Sequence, residues 1–410
     1  MKEPKIRFKG FSGEWKRSTL GDLALFSKGS GYSKSDICKE GTPVILYGRM
    51  YTKYQSVFDE IDTFVNPKDN SVVSKGVEVI IPGSGESSED ISLAAMVKNG
   101  GVILGGDLNI LKFNQKVNDP AFMSMAITYS PTRAELSSYS QGKTVVHLRN
   151  SEIAKGTIRY PNISEQNTIV NYVLSLDAQI SASTSRLASL KQMKAASLQA
   201  MFPQEGETVP KVRFKGFEGE WKKVKLSECL EISTERNLNN KYGVNEVLSV
   251  SDEEGVMNQI KLLGRSYAGK SVTNYKILRT NQVVYTKSPL KAKPYGIVKV
   301  NKGETGIVSV LYAVYDAKEC VSPDYIHYYF EPTFRINNYL LPLINKGAKN
   351  TMNISDEVSL QGDIILPNTL EEQVRIVEFL QSLDRQIALH TQRLEKLKQI
   401  KAACLDKMFV

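Results

Sequence analysis

Two stretches of the chain repeat apolar residues at alternating steps of four and three. The first holds Ile169, Val173, Leu176, Ile180, Leu187 and Leu190; the second holds Ile376, Leu380, Leu383, Ile387, Leu394 and Leu397. A 3.5-residue apolar period keeps one helix face turned to a partner helix, which is the seam of a coiled coil. The seams are interrupted at matching places, Ser183 and His390, then Lys194 and Lys401. No Gly or Pro falls between 164 and 202 or between 369 and 410. Ser164 and Thr369 are read as N-caps. Each stretch predicts a helix about 55 Å long. Narrow seams of equal length favour a mutual coiled coil over two helices that each pack only on their own domain.

The remaining sequence changes period. Short β-rich runs at 77–81, 101–104, 282–286 and 296–300 are broken by Gly, Pro, Asn and Asp, which reads as strands and turns. Helix is expected around 120–129 and 323–340. Both globular parts are therefore of mixed α/β, α+β class.

The two halves repeat one another. Residues 4–15 read PKIRFKGFSGEW and residues 210–221 read PKVRFKGFEGEW, ten of twelve positions matching. Downstream, PNISEQ and SLDAQI in 161–202 answer PNTLEEQ and SLDRQI in 367–409. The order is domain, helix, domain, helix, with boundaries at 1–160, 161–209, 210–366 and 367–410. By this symmetry the N-terminal RFKGF belongs beside the end of the second helix, with Pro4 within about 26 Å of Phe409, the reach of an eight-residue link. Beyond the first twelve residues the two domains hardly resemble each other. Constant helices with divergent domains suggest one geometry serving two different ligands.

Charge adds a partner class. The net charge is +9, and the excess lies in the globular parts, +4 in 1–160 and +5 in 210–366. Residues 255–303 hold ten Lys or Arg and no acid, including Lys287, Lys291 and Lys293 between Tyr285 and Tyr295. Lysines interleaved with tyrosines suit phosphate neutralisation and base or sugar contact. Such a stretch is otherwise a solvated basic face. In the first domain the candidate readers are Tyr32, Tyr47, Arg49 and Tyr51, then Ser84, Glu86 and Ser87 in the loop PGSGESSE. That loop lacks G-K-[ST], and its acids would repel phosphate, so it is not a nucleotide cradle. Glu86 suits the amino group of cytosine, or the loop is a plain surface turn.

Catalytic signals are missing. There is no N-P-P-[FY] tetrapeptide for amino-methyl transfer, no Gly-rich cofactor fingerprint and no P-loop; the nearest tetrapeptide is Lys293-Pro-Tyr-Gly296. Cys38, Cys229, Cys320 and Cys404, like His147, His327 and His390, are scattered, so no metal site or disulfide framework is expected. No run of 18 apolar residues and no signal core occur, and a cytoplasmic protein is expected.

In order along the chain, PGSGESSEDI at 82–91, GGDLNI at 105–110, GKTVVHL at 142–148 and the paired Glu-Gln and Leu-Asp-x-Gln-Ile helices resemble the specificity subunit of type I restriction–modification systems. The resemblance covers essentially the whole length. It implies two target-recognition domains in a pseudo-twofold arrangement, separated by a long antiparallel two-helix coiled coil. It implies that each domain reads one half of a split, asymmetric double-stranded DNA site. It also implies that the helices set the spacing and dock two modification (methyltransferase) subunits, with restriction subunits joining. S-adenosylmethionine, ATP and Mg then belong to those partners, and this chain is non-catalytic and holds no cofactor or metal. Lys143, Thr144 and Lys349 join the DNA-contact candidates by position. The second domain departs from the pattern: it has GAKNTMNI at 347–354 and no PGSGE loop. A self-sufficient DNA methyltransferase and a protein-binding coiled-coil scaffold are the alternatives.

Overall fold

The computed structural model describes residues 3–142, 144–269, 271–288, 292–346 and 352–410. The chain forms two units, residues 1–184 with 392–410, and residues 185–391. Each unit holds one globular domain and half of each long helix, Ile163–Ala200 and Leu370–Lys407. The four segments read from the sequence describe chain order; the units describe packing.

In unit 1 the first strand, Lys16–Thr19, pairs antiparallel with the last, Thr157–Tyr160. Between them lie two five-stranded sheets. One runs in the order Ala24–Lys28, Leu108–Phe113, Glu78–Pro82, Ala95–Val97, Val57–Phe58. It is antiparallel except for the last pair. Val79, Ile80 and Ile81 are all fully buried, so this central strand is covered on both faces and reads as a continuous apolar run. The core gathers Leu111, Phe122 and Ile158 with Val173 and Leu176 of the first helix and Leu397, Met408 and Phe409 from the end of the second.

Unit 2 carries an antiparallel sheet in the order Leu230–Ile232, Tyr312–Ala317, Val283–Thr286, Val298–Val300. Its core joins Phe202 and Trp221 with Tyr325, Ile376 and Leu380. The helix expected over 323–340 is two helices, Pro323–Phe330 and Thr333–Leu340. Pro332 stands between them in extended conformation and cannot donate an N–H to a continuing helix.

The repeated motifs fasten each helix to its domain. Arg7 donates from Nε and Nη2 to the two carboxylate oxygens of Glu165 at 2.7 and 2.8 Å. Arg213 does the same to Glu372 at 2.7 and 2.8 Å. Both glutamates are buried and sit in the first helical turn, where the helix N-terminus also favours a negative charge. The adjacent Gln166 accepts from Asp119 N at 2.8 Å, and Gln373 from Ser322 N at 2.9 Å. Thr369 caps the second helix, accepting from Glu372 N at 3.3 Å. The first helix is capped by Asn162, which accepts from Glu165 N at 3.0 Å. Ser164 lies inside that helix and is not its cap. Asn162 is the position that aligns with Thr369, and Asx side chains accept from this N–H as readily as hydroxyls do.

The circular expectation holds. Ile6 N donates to Lys407 O at 3.1 Å, and its repeat counterpart Val212 N donates to Ala200 O at 2.9 Å. The lysines that interrupt the seams carry cross-helix ion pairs. In unit 1, Lys401 meets Asp177. In unit 2, Lys194 meets Asp384 at 2.6 Å and Glu331 at 2.6 Å. Within unit 1, Tyr172 approaches Cys404 while Asp177 meets Lys401, so the two helices run antiparallel there.

Candidate DNA-reading surface

In unit 1 four separated sequence segments meet at one end of the central strand. After Pro82 the chain turns through Gly83, whose N–H donates to Asp107 O at 2.6 Å. It then forms a two-residue strand, Ser84–Gly85, paired antiparallel with Val146–His147. Ser84 Oγ lies 3.0 Å from His147 Nδ1, and Leu148 N donates to Gly83 O at 3.1 Å. A Cβ on Gly85 would stand 2.9 Å from the Tyr51 hydroxyl, so glycine is what lets Tyr51 approach. Tyr51 donates to Ser84 O, and its ring meets Tyr47 edge-on at 6.2 Å. Ser87 caps the short helix Ser88–Ile91 by accepting from Asp90 N at 3.1 Å. Glu86 is left exposed between two fixed elements.

Tyr47 is 41% exposed and, with Tyr32, lines a cavity of about 230 Å³ bounded by Gly105, Gly106 and Asp107. The Tyr32 hydroxyl is held by Ser71 and accepts from Lys68 N at 2.7 Å. Burial, then the nearby charges of Asp90, Asp107 and Glu86, push the Tyr51 phenol well above its ordinary pKa. It stays neutral and acts only as a hydrogen-bonding hydroxyl. Lys28 stands beside Gly83, with its pKa lowered by burial against the opposing pull of Asp107. Lys28 and His147 belong to this cluster, although no spacing signal marked either as a site residue.

The structure thus brings Tyr32, Tyr47, Tyr51, Ser84, Glu86 and Ser87 into one neighbourhood, with exposed Thr144 on the adjoining hairpin. Arg49 is engaged elsewhere. Its guanidinium is paired with Asp62, donates to Glu60 O at 3.1 Å and lies over the Phe58 ring. Lys143, Lys291 and Lys349 lie outside the described residues.

In unit 2 most described lysines of the basic stretch have acid partners. Lys287 and Lys276 share Asp356. Lys293 and Lys299 share Asp252, at 2.8 and 3.6 Å, and Lys302 meets Asp324 at 2.7 Å. Lys293 is only 8% exposed and Tyr285 only 2%; the Tyr285 hydroxyl donates to O of half-buried Tyr295 at 2.8 Å. Side chains buried this way do not present themselves to a duplex. The stretch has no acid of its own, but the fold delivers acids from 252, 324 and 356. Burial works against the charge of Asp356, yet hydrogen bonds from its two lysines hold its carboxyl below the usual aspartate value. Among the described residues of the stretch, Lys261, Arg265 and Tyr267 are exposed, as are Arg279 and Lys302, which pair with Glu235 and Asp324. Arg265 lies over the Tyr267 ring at 4.6 Å, and Tyr267 is 60% exposed.

Comparison with known proteins decides the family. The type I restriction modification DNA specificity domain matches residues 12–192 and again 218–399. The chain belongs to this family. That membership leaves the self-sufficient methyltransferase and the protein scaffold without support. Among solved structures, the type I restriction-modification S subunit from M. genitalium is 12% identical with a TM-score of 0.60. The alignment covers 100% of this chain and 99% of that one, and the likeness is one of fold. The HsdS subunit from Thermoanaerobacter tengcongensis is 18% identical with a TM-score of 0.47, covering 100% and 99%. No curated protein matches. No helix among the described residues is long and apolar enough to cross a membrane.

Proposed function

We propose that each globular domain reads one half of a split, asymmetric site on double-stranded DNA, and that the chain contributes recognition but no catalytic step. The observation that carries this reading is one frame built twice around different surfaces. The Arg–Glu clamps and helix caps repeat position for position, whereas the exposed groups differ between units. In the first domain Tyr47, Ser84, Glu86, Ser87 and Thr144 face the DNA, with Glu86 accepting from a base amino group. In the second, Lys261, Arg265 and Tyr267 are the proposed contacts. Two modification subunits dock on the helices and supply methyl transfer with S-adenosylmethionine. Restriction subunits supply ATP- and Mg-dependent steps. Helix length sets the number of base pairs between half-sites.

The test is a binding titration of the assembled complex on its methylation site. Arg265→Ala with Lys261→Ala is expected to weaken binding and to flatten the salt slope by up to about two phosphate contacts. Glu86→Ala is expected to relax preference at one position of one half-site, by about 1–3 kcal/mol of discrimination. An unchanged salt slope and an unchanged site preference would contradict the assignment of both surfaces.

A further inference from the structure

We propose that Val310 and Leu311, at the corner of one turn in the second domain, read a thymine of the target site by contact with its 5-methyl group. This deepens the DNA-reading role proposed above and rests on it.

The turn has a counterpart in unit 1. Tyr312 N donates to Ser309 O at 3.0 Å, and Leu108 N donates to Gly105 O at 3.2 Å. The strand pairs that follow share one register, Thr286 opposite Tyr312 and Pro82 opposite Leu108. Gly106 and Asp107 of the first domain therefore stand where Val310 and Leu311 stand in the second. In unit 1 this turn belongs to the candidate reading surface. Gly105, Gly106 and Asp107 bound the cavity of Tyr32 and Tyr47, and Asp107 O accepts from Gly83 N at 2.6 Å. The same end of the sheet in unit 2 is where the second domain meets its half-site.

The residues that fill the corner decide its chemistry. Turn corners are ordinarily Gly, Asn, Asp, Ser or Pro, as in the first domain. Here Val310 is 44% exposed and Leu311 62%. A single exposed leucine is common; two adjacent apolar side chains in place of Gly and Asp are a change of surface. The turn that presents them is fixed. Ser309 Oγ accepts from Leu311 N at 3.3 Å, and the strands on either side pack through Val308 and Val314, both fully buried. Neither Val310 nor Leu311 has a side-chain donor or acceptor, so they bind neither phosphate nor a polar base edge. The apolar group that base pairs display in the major groove is the thymine methyl, and apolar side chains meet it there. The first domain presents the exposed carboxylate of Asp107 at this place, so the two repeats differ there as acceptor and apolar contact.

The test uses the chain assembled with its modification subunits and a duplex carrying the mapped methylation site. Each thymine is replaced in turn by deoxyuridine, which lacks only the methyl. One replacement is expected to weaken binding about fourfold, the worth of one buried methyl. Val310→Ser with Leu311→Ser is expected to weaken binding to the thymine duplex by at least as much and to abolish the effect of that one replacement. Serine suits a turn corner and both positions are exposed, so the fold accommodates the change, and circular dichroism checks that it does. No sensitive thymine, or a sensitivity that survives in the double variant, overturns the proposal. A variant that binds DNA as before but assembles poorly with its modification subunits marks the turn as a protein contact and overturns it too. Failure of the underlying reading looks different. A complex that does not prefer its site to a mixed-sequence duplex removes DNA reading itself, whereas intact site preference without thymine sensitivity removes only this contact.

Discussion

Glu165 and Glu372 show how a short repeated string acquires meaning. In sequence, RFKGF and the Glu-Gln pair are separate motifs some 150 residues apart; in the fold they are two halves of one clamp. Removing one partner of a buried pair leaves the other charge uncompensated and costs about 3–5 kcal/mol. Because the Arg7 side chain is 15% exposed, Glu165→Ala is expected near the lower end, about 3 kcal/mol, by denaturant unfolding of the full chain. A loss below about 1 kcal/mol would mark the pair as an ordinary surface bridge. His327 gives a pH signature in unit 2. Burial, then the repulsion of Lys299, drives its pKa down from 6.5 to about 3. Above pH 6.5 the ring is neutral whether folded or unfolded. Below it the unfolded chain takes up a proton that the folded chain refuses, so stability falls with falling pH down to about 3. The expected slope is up to about 1.4 kcal/mol per pH unit. His327→Phe is expected to flatten the stability profile between pH 6 and 4; an unflattened profile would place the ring in a solvated setting.

The long helices were the most legible elements because a seam is a local pattern, and period alone locates it. The lysines interrupting it were legible as interruptions only; their partners Asp177 and Asp384 lie on the opposite helix. Lys401→Asp places like charges together in unit 1. It is expected to lose about 1 kcal/mol, since Asp177 is partly exposed, and to regain it when combined with Asp177→Lys. Thermal unfolding of the two variants checks this; no recovery in the double variant would mean that the pair does not form. The pairing of the basic stretch of unit 2 is illegible for the converse reason. Counting charge along 255–303 finds no acid, but Asp252, Asp324 and Asp356 close on its lysines from outside the window. Neutralisation is a tertiary property that composition cannot report. The tyrosine cluster of unit 1 is partly readable, because its tyrosines and the PGSGE loop stand out in sequence; that Gly83, Gly85 and Gly105 are close backbone approaches is seen only in the fold. That four segments converge there follows only from the sheet order.

At the scale of the whole chain, the two repeats keep their fastenings and vary their exposed groups, as a reader of two unlike half-sites requires. Lengthening both helices by four residues, beside Ser183 and His390, adds about 6 Å, close to two base-pair steps at about 3.4 Å each. A longer spacer with both half-sites unchanged is the expected methylation pattern; an active variant with an unchanged spacer would contradict the ruler. The most direct test of the account is a genome-wide map of methylated adenines in cells carrying this chain with its modification subunits. It is repeated after residues 222–366 are replaced by the equivalent domain of another family member. The account expects a two-part motif that disappears when this chain is deleted and changes in one half only after the exchange. A motif that persists without the chain, or that changes in both halves, would contradict it.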